Sequence, residues 1–355
     1  MTRPTEPTTP RTGASDGEGG WQEALCGICP AGCWVEVQVE EGELTGIRAD
    51  TTHPLGMICR RGQHAPEIVH SEHRLRHPMR RTGPKGTHEF ERISWDQAYD
   101  EIVERLETIK AESGPEAGSI YTGRGAFELS LCDFYQPEGV AVSSASNVLF
   151  PFGSPNTMGV GALCYVSFAM MAPHLTMGRM LVDMFTDIEN AQTLLVWGSN
   201  PATDSPPLDM ERLESAASRG AQIVVIDPRR TETVHRTGAE WVPIRPGTDG
   251  ALALSMIQVL VEEDLYDITF AEEWTHGFEE LTAYTQHFTP EQTEAITGVP
   301  ADTIRRLARS IARSDGAAPV MYTGLEYSDT GLQSVRAVHT LFALAGQLDV
   351  PGGID

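Results

Sequence analysis

The sequence has 355 residues, 40% of them hydrophobic, with 26 basic against 50 acidic residues and a formal net charge of −24. That balance argues against nucleic acid as a partner, which needs a basic footprint, and against anionic membrane surfaces. A chain this long outgrows a single core, so two or more domains are expected, and no run reaches the roughly 18 apolar residues of a membrane span.

Lys85 and Lys110 are the only lysines. An acidic, Lys-poor surface fits adaptation to high salt, and equally a GC-rich genome that writes Arg for Lys. Residues 1–20 are rich in Thr, Pro, Gly and Ser with no apolar core. They match neither a secretory nor a twin-arginine signal and read as a disordered tail, so a soluble, cytoplasmic protein is expected.

The first chemistry-bearing stretch is Cys26-Gly27-Ile28-Cys29-Pro30-Ala31-Gly32-Cys33. Three thiols in eight residues can converge on one point if the backbone wraps round it, and Gly27 and Gly32 supply the needed freedom. Cys59 is the fourth. Four thiolates are the usual ligand set of a 4Fe-4S cluster. A four-cysteine zinc site is the main rival, although zinc knuckles usually come as two C-x2-C pairs and the second is missing here. Six cysteines in 355 residues are too few for a disulfide framework.

After Cys33, valines alternate with polar residues from Trp34 to Glu40, the pattern of a half-buried strand, with a return strand over Leu44–Ile47. A small β-rich cluster domain over 21–80 follows. Ser94 and Gln97 form a capping box ahead of a helix whose apolar positions are Trp95, Ala98, Ile102, Leu106 and Ile109. Gly114 and Pro115 end it, and Ile120–Thr122 is a short strand.

From Thr193 the pattern becomes α/β. Thr193–Trp197 is a nearly continuous apolar strand, as in a parallel sheet buried on both faces. It ends in Gly198-Ser199-Asn200-Pro201, and a helix over Leu208–Ser218 follows. Gln222–Ile226 is the next strand and ends in Asp227-Pro228-Arg229-Arg230-Thr231. Trp241–Ile244 ends in Arg245-Pro246-Gly247-Thr248-Asp249, ahead of a helix from Ala251. Ligands of open α/β sheets bind at the carboxyl ends of strands, which makes these turns one candidate site. Backbone N–H groups at Gly247–Asp249 suit an anion or a ring, Asp249 suits a guanine edge, Asp227 suits ribose hydroxyls, and Arg229 suits phosphate. The alternative is that they are ordinary α/β loops. No G-x-G-x-x-G or G-x-x-x-x-G-K-[ST] is present, so an ordinary NAD site or NTPase is not indicated.

In order along the chain, the cysteine pattern, Glu91-Arg92-Ile93-Ser94-Trp95-Asp96-Gln97-Ala98, Gly153-Ser154-Pro155-Asn156 and the three strand-end turns resemble the molybdopterin oxidoreductases of the dimethyl-sulfoxide-reductase class. The likeness is strongest to the polysulfide and thiosulfate reductase and acetylene hydratase branch. It implies an α/β fold with mostly parallel, Rossmann-like sheets behind the cluster domain. The implied domains are 81–190, a dinucleotide-binding domain over 191–318, and a truncated return to the second domain over 319–355. It further implies a bis(molybdopterin guanine dinucleotide) cofactor, bis-MGD, on Mo or W, fed by a 4Fe-4S cluster on Cys26, Cys29, Cys33 and Cys59. Gly198, Asn200, Asp227, Arg229, Gly247, Thr248 and Asp249 match positions that hold one dinucleotide. Arg61 matches a cationic position between cluster and pterin, and Cys164 matches the protein ligand of the metal.

The expected activity is reduction of a small sulfur compound or oxyanion. Pro30 stands where the hydratase has an acid, which counts against hydration. A non-redox hydratase and a non-catalytic electron-transfer module are the alternatives. Pro351-Gly352-Gly353 sits near mid-chain in relatives, so a missing C-terminal half or partner chain is expected, with an electron-transfer subunit as a further possible partner.

Overall fold

The computed structural model describes residues 20–28, 32–53, 56–122, 149, 151–159, 166–178, 185–203 and 208–355. They fall into two compact units. One holds the described residues up to Gly118 and those from Leu149 to Pro155; the other holds Ser119–Thr122 and the described residues from Asn156 to Asp355.

In the first unit, β1 (Trp21–Leu25), β2 (Trp34–Glu40) and β3 (Glu43–Ala49) form an antiparallel sheet in the order β1-β2-β3. Cross-strand pairs stabilise it. Arg48 bonds Glu36 at 2.6 Å and lies 4.2 Å above the Trp21 ring. Two short helices follow, α1 (Arg60–Gln63) and α2 (Ala65–Val69), which the strand-and-loop expectation did not include. A two-stranded hairpin of β4 (Met79–Arg81) and β5 (Phe90–Arg92) precedes α3 (Trp95–Ser113). The Ser94–Gln97 capping box forms as expected: Ser94 accepts from the Gln97 N–H, and the Gln97 side chain accepts from the Ser94 N–H. It contributes about 1 kcal/mol.

In the second unit, β6 (Ile120–Thr122) pairs in parallel with β7 (Thr157–Gly159). A π-helical turn, Val166–Met171, runs into α4 (Ala172–Met177). The main sheet contains β8 (Thr193–Trp197), β9 (Gln222–Ile226), β10 (Glu240–Val242) and β11 (Ala317–Met321), all parallel, in the order β10-β9-β8-β11. Between β8 and β10 lie α5 (Leu208–Ser218) and α6 (Glu232–Thr237). Between β10 and β11 come α7 (Asp249–Glu262), α8 (Ile268–Trp274), α9 (Phe278–Thr285), α10 (Pro290–Thr297) and α11 (Ala301–Ala312). After β11 come α12 (Thr323–Glu326) and α13 (Gly331–Leu344).

The period-two alternation of the strands divides the core between two faces. Leu195, Trp197, Val224 and Ile226 pack on one side with Leu252 and Met256 of α7, Leu307 of α11 and Phe342 of α13. Leu194, Val196, Ile223 and Val225 pack on the other with Met210 and Leu213 of α5. With both faces covered, β8 is buried along its whole length, as its apolar run implies. β11 of the last segment joins this sheet, while the chain after it also bonds residues 168–187: Glu326 accepts from the Phe168 N–H, and the Phe185 N–H donates to the Asp355 carbonyl. β11 pairs with β8 from Ala317↔Thr193 to Met321↔Trp197.

Candidate cofactor sites

Three described members of the cysteine set, Cys26, Cys33 and Cys59, lie in the first unit. Cys26 and Cys33 are buried, and the Cys26 N–H donates to the Cys33 carbonyl at 2.9 Å, which closes the loop between them. Cys59 immediately precedes α1. One turn on, Gly62 faces the first thiol: a Cβ there would lie 3.4 Å from Cys26 Sγ and 2.7 Å from the Ile58 side chain. A glycine at this point leaves room beside the sulfur, as a bulky inorganic cluster requires. Gly56 fixes the return of the chain, because a Cβ there would sit 1.5 Å from the Asp50 carbonyl oxygen. The Trp34 and His53 rings stack at 4.2 Å over the same return. Arg61 is exposed on α1. Cys29 lies outside the described residues, as do Cys132 and Cys164. Among the described residues no group of three or more His, Cys, Asp or Glu is placed to hold a metal.

In the second unit, the three expected turns lie at the carboxyl edge of the parallel sheet. The strand order reverses between β8 and β11, so the switch point falls between the Gly198 turn and the loop after β11. There the two backbones touch: the Gly324 N–H donates to the Gly198 carbonyl at 2.9 Å.

Several predicted contact residues are engaged within the protein. The Asn200 Oδ1 accepts from the Thr233 N–H and Oγ1, and its Nδ2 donates to Thr203 Oγ1 and Glu232 at 2.7 and 2.8 Å. The Asn200 amide thus ties the β8 turn to the start of α6. Arg229 makes an ion pair with Glu232 at 3.1 Å. Arg229, with the Glu232 N–H and Asn200, holds the Glu232 carboxyl down at about 2. The Asp227 carboxylate accepts from the Arg229 N–H at 2.8 Å.

Asp249 is buried at the start of α7 and accepts from Trp197 Nε1 at 2.8 Å. Burial raises its pKa, against the Trp197 bond. A carboxyl group here repels phosphate and favours N–H or O–H donors. The turn before it is stapled down, with Arg245 Nη1 donating to the Ala295 and Ile296 carbonyls at the end of α10 and Thr248 Oγ1 donating to the Arg245 carbonyl. Gly247 has φ +76° and Gly198 φ +60°.

A fourth loop, Tyr322–Thr330, shares this edge and was not among the expected turns. Its signal was the same as theirs: an apolar strand ending in a small-residue turn, Tyr322-Thr323-Gly324. Ser328 lies against Gly247, where a Cβ would come within 3.5 Å of it. Glu326 is buried and accepts from the Phe168 N–H at 3.2 Å, and burial pushes its carboxyl up to about 7. Thr231 Oγ1, Glu326 Oε1 and Ser328 Oγ are buried with no hydrogen-bond partner. Such orphans carry a desolvation cost that a polar ligand or water relieves. The edge therefore fits a large polar cofactor.

A small β-sheet unit that carries Cys26, Cys33 and Cys59, and an open parallel sheet with a polar carboxyl edge, are the features that the comparisons with known proteins bear on. The chain belongs to the molybdopterin oxidoreductase family: residues 74–354 match the molybdopterin oxidoreductase model and residues 21–71 the molybdopterin oxidoreductase Fe4S4 domain. The family's cofactors are a 4Fe-4S cluster and bis-MGD on Mo or W. The chain is similar to the molybdopterin-containing subunit of thiosulfate reductase from Salmonella typhimurium, 32% identical over 93% of this chain and 42% of that protein. It is equally similar to acetylene hydratase of Syntrophotalea acetylenica, 32% identical over 92% of this chain and 43% of the relative. The solved acetylene hydratase from Pelobacter acetylenicus superposes with a TM-score of 0.74 at 29% identity, over 94% of this chain and 44% of that one. The chain thus spans less than half the length of these relatives. None of its described helices is long and apolar enough to cross a membrane.

Proposed function

We propose that this polypeptide is the N-terminal part of an enzyme that reduces a small sulfur compound or oxyanion at a Mo- or W-bis-MGD centre. What supports the reading most directly is the likeness to the thiosulfate reductase subunit over 93% of the chain. When bound, the pterin-held metal supplies two-electron chemistry and the 4Fe-4S cluster supplies single electrons.

The chain's own residues then have separable tasks. Cys26, Cys29, Cys33 and Cys59 hold the cluster. Arg61, charged at any relevant pH, stabilises added negative charge between cluster and pterin. Asn200 and Arg229 fix the two edge turns, and Asp227, Asp249 and the backbone at Gly198, Gly247 and Thr248 face one dinucleotide. Cys164 ligates the metal, a soft thiolate suited to a centre already bound by pterin sulfurs. A completing polypeptide, continuous or separate, supplies the remaining half, and an electron-transfer subunit supplies the reductant.

Metal analysis of the complete gene product, purified anaerobically, tests this. About four Fe and one Mo or W per chain are expected, with turnover of thiosulfate or polysulfide from reduced viologen. Cys164→Ser should abolish or redirect turnover and change the metal-edge absorption spectrum while leaving iron intact. Iron without Mo or W would leave an electron-transfer module instead. Turnover of an alkyne without a donor would make the protein a hydratase.

A further inference from the structure

The chain is strongly acidic, yet one cavity in the second unit is walled by cations. It lies at the amino edge of the main sheet, where β8 and β9 begin at Thr193 and Gln222, opposite the edge that fits the dinucleotide. Its volume is about 970 Å³, and its wall carries Arg219, Arg306, Arg309 and Arg313 and, among the described residues, no carboxylate. The pattern is written into α11. Ile304, Leu307, Ala308 and Ile311 are buried. Arg306, Arg309, Ser310 and Arg313 are spaced i, i+3, i+4, i+7, which lines them up on another face. Arg219 comes from the end of α5.

The partners of these four groups decide what the cavity can hold. Arg306 is ion-paired with Glu240, and Arg309 pairs with both oxygens of Glu263 at 2.7 and 2.8 Å. Neither carboxylate lines the cavity. Arg219 donates to neutral groups, the Ile188 and Glu189 carbonyls and Ser215 Oγ. Arg313 makes no side-chain hydrogen bond or ion pair among the described residues and acts on Glu263 only through space. Two of the four charges are thus matched by carboxylates and two are not. The carbonyl ends of α5 and α11 offset part of the remainder. A cavity walled by uncompensated charge concentrates ions of the opposite sign. Ala191 and Ala221 are the only apolar side chains among its described lining, so nothing there grips a nucleoside base or a hydrocarbon.

We propose that this cavity binds a small inorganic oxyanion carrying two or more negative charges, held chiefly by Arg219 and Arg313. Planar guanidinium forks match the oxygen edges of such anions, and Ser310 adds a hydroxyl in the same wall. The site stands at the opposite end of the sheet from the cofactor edge and does not rest on the function proposed above.

Isothermal titration calorimetry of the complete gene product with inorganic diphosphate, phosphate and sulfate, at an ionic strength held constant with KCl, is the test. Diphosphate should bind at one site and slow hydrogen exchange at residues 219–222 and 309–314. Arg313→Gln should weaken that binding at least tenfold, and Arg313→Lys less, because an ammonium keeps the charge and loses the fork. Arg236→Gln removes an arginine that pairs with Glu214 outside the cavity, and should leave binding unchanged. Iron content, turnover and the unfolding midpoint of Arg313→Gln should match those of the unsubstituted protein. If that variant does not fold, Arg306→Gln takes its place with the same expected loss. No binding at constant ionic strength, binding that survives the substitution, or slowed exchange only at the carboxyl-edge turns would overturn the proposal. So would exchange at 219–222 and 309–314 that is already slow and indifferent to the anion, as when another segment of the complete protein fills the cavity. Each of these failures leaves metal content and turnover, on which the function reading depends, untouched.

Discussion

Gly198 and Gly247 both carry a positive φ and both stand in cofactor-like turns, yet different forces select them. At Gly198 a Cβ would lie 2.6 Å from the Leu325 side chain and 2.9 Å from its backbone nitrogen, so the glycine permits the close approach of β8 and the β11 loop. At Gly247 the nearest atom to a Cβ is Ser328 Cβ at 3.5 Å, an ordinary contact. Gly198→Ala should therefore cost about 2–4 kcal/mol and Gly247→Ala about 1 kcal/mol, measured by urea unfolding. Equal costs would show that the turn conformation, not the close approach, governs both. His339 poses a different residue-scale problem. It is buried in α13 with both ring nitrogens unbonded, and burial lowers its pKa from 6.5 to about 4. The folded state then binds fewer protons than the unfolded state between those values. Its contribution to stability is complete above pH 6.5 and falls away as the pH drops towards 4. By pH 5 the loss is about 2 kcal/mol, and His339→Leu should remove that part of the acid sensitivity. Glu326 acts in the other direction. Its raised carboxyl favours the fold below about 4.5, and that contribution fades as the pH rises through about 7. Glu326→Gln should flatten the alkaline side of the stability profile, and unfolding midpoints between pH 5 and 8.5 check both limbs.

At the scale of elements, the sequence is most readable where one local signal decides the outcome. The apolar run at Thr193–Trp197 could only be a strand covered on both faces, and α5 begins and ends where its amphipathic pattern does. The Ser94–Gln97 box starts α3 at Trp95 because two backbone and side-chain groups satisfy each other locally. What was not readable depends on contacts between residues distant in sequence. Asp249 stands at a helix start, where an anion-binding backbone is the natural reading. Its carboxyl group also accepts from Trp197, 52 residues earlier. Asn200 also bonds Thr233, and Arg229 also pairs with Glu232, contacts within the protein that no local pattern announces. The loop at Tyr322–Thr330 was missed although its strand-then-glycine pattern repeats that of the other three. Its strand, β11, joins the sheet beside β8 after five intervening helices, and no local pattern fixes that neighbour.

For the whole molecule, what matters is where the apolar core lies. Both hydrophobic clusters among the described residues belong to the second unit, built on β8–β11 and the helices that sandwich them. Among its described residues the first unit buries few apolar side chains: Val35, Met57, Ala65 and Leu149, with Cys26 and Cys33 also enclosed. A unit with so small a core lacks the burial to offset chain entropy, and metal ligation commonly makes up that deficit. The iron cluster should therefore act as the folding core of the first unit and be dispensable to the second. Removing iron with a chelator under reducing conditions, or replacing Cys33 with Ala, should abolish amide protection in β1–β3. Protection in α7 and α13 should remain, as followed by hydrogen exchange with mass spectrometry. Protection lost evenly across both units would show that they fold as one. Protection retained in β1–β3 without iron would show that the Arg48–Glu36 and Trp21 contacts of the sheet suffice, and that the cluster is only a passenger.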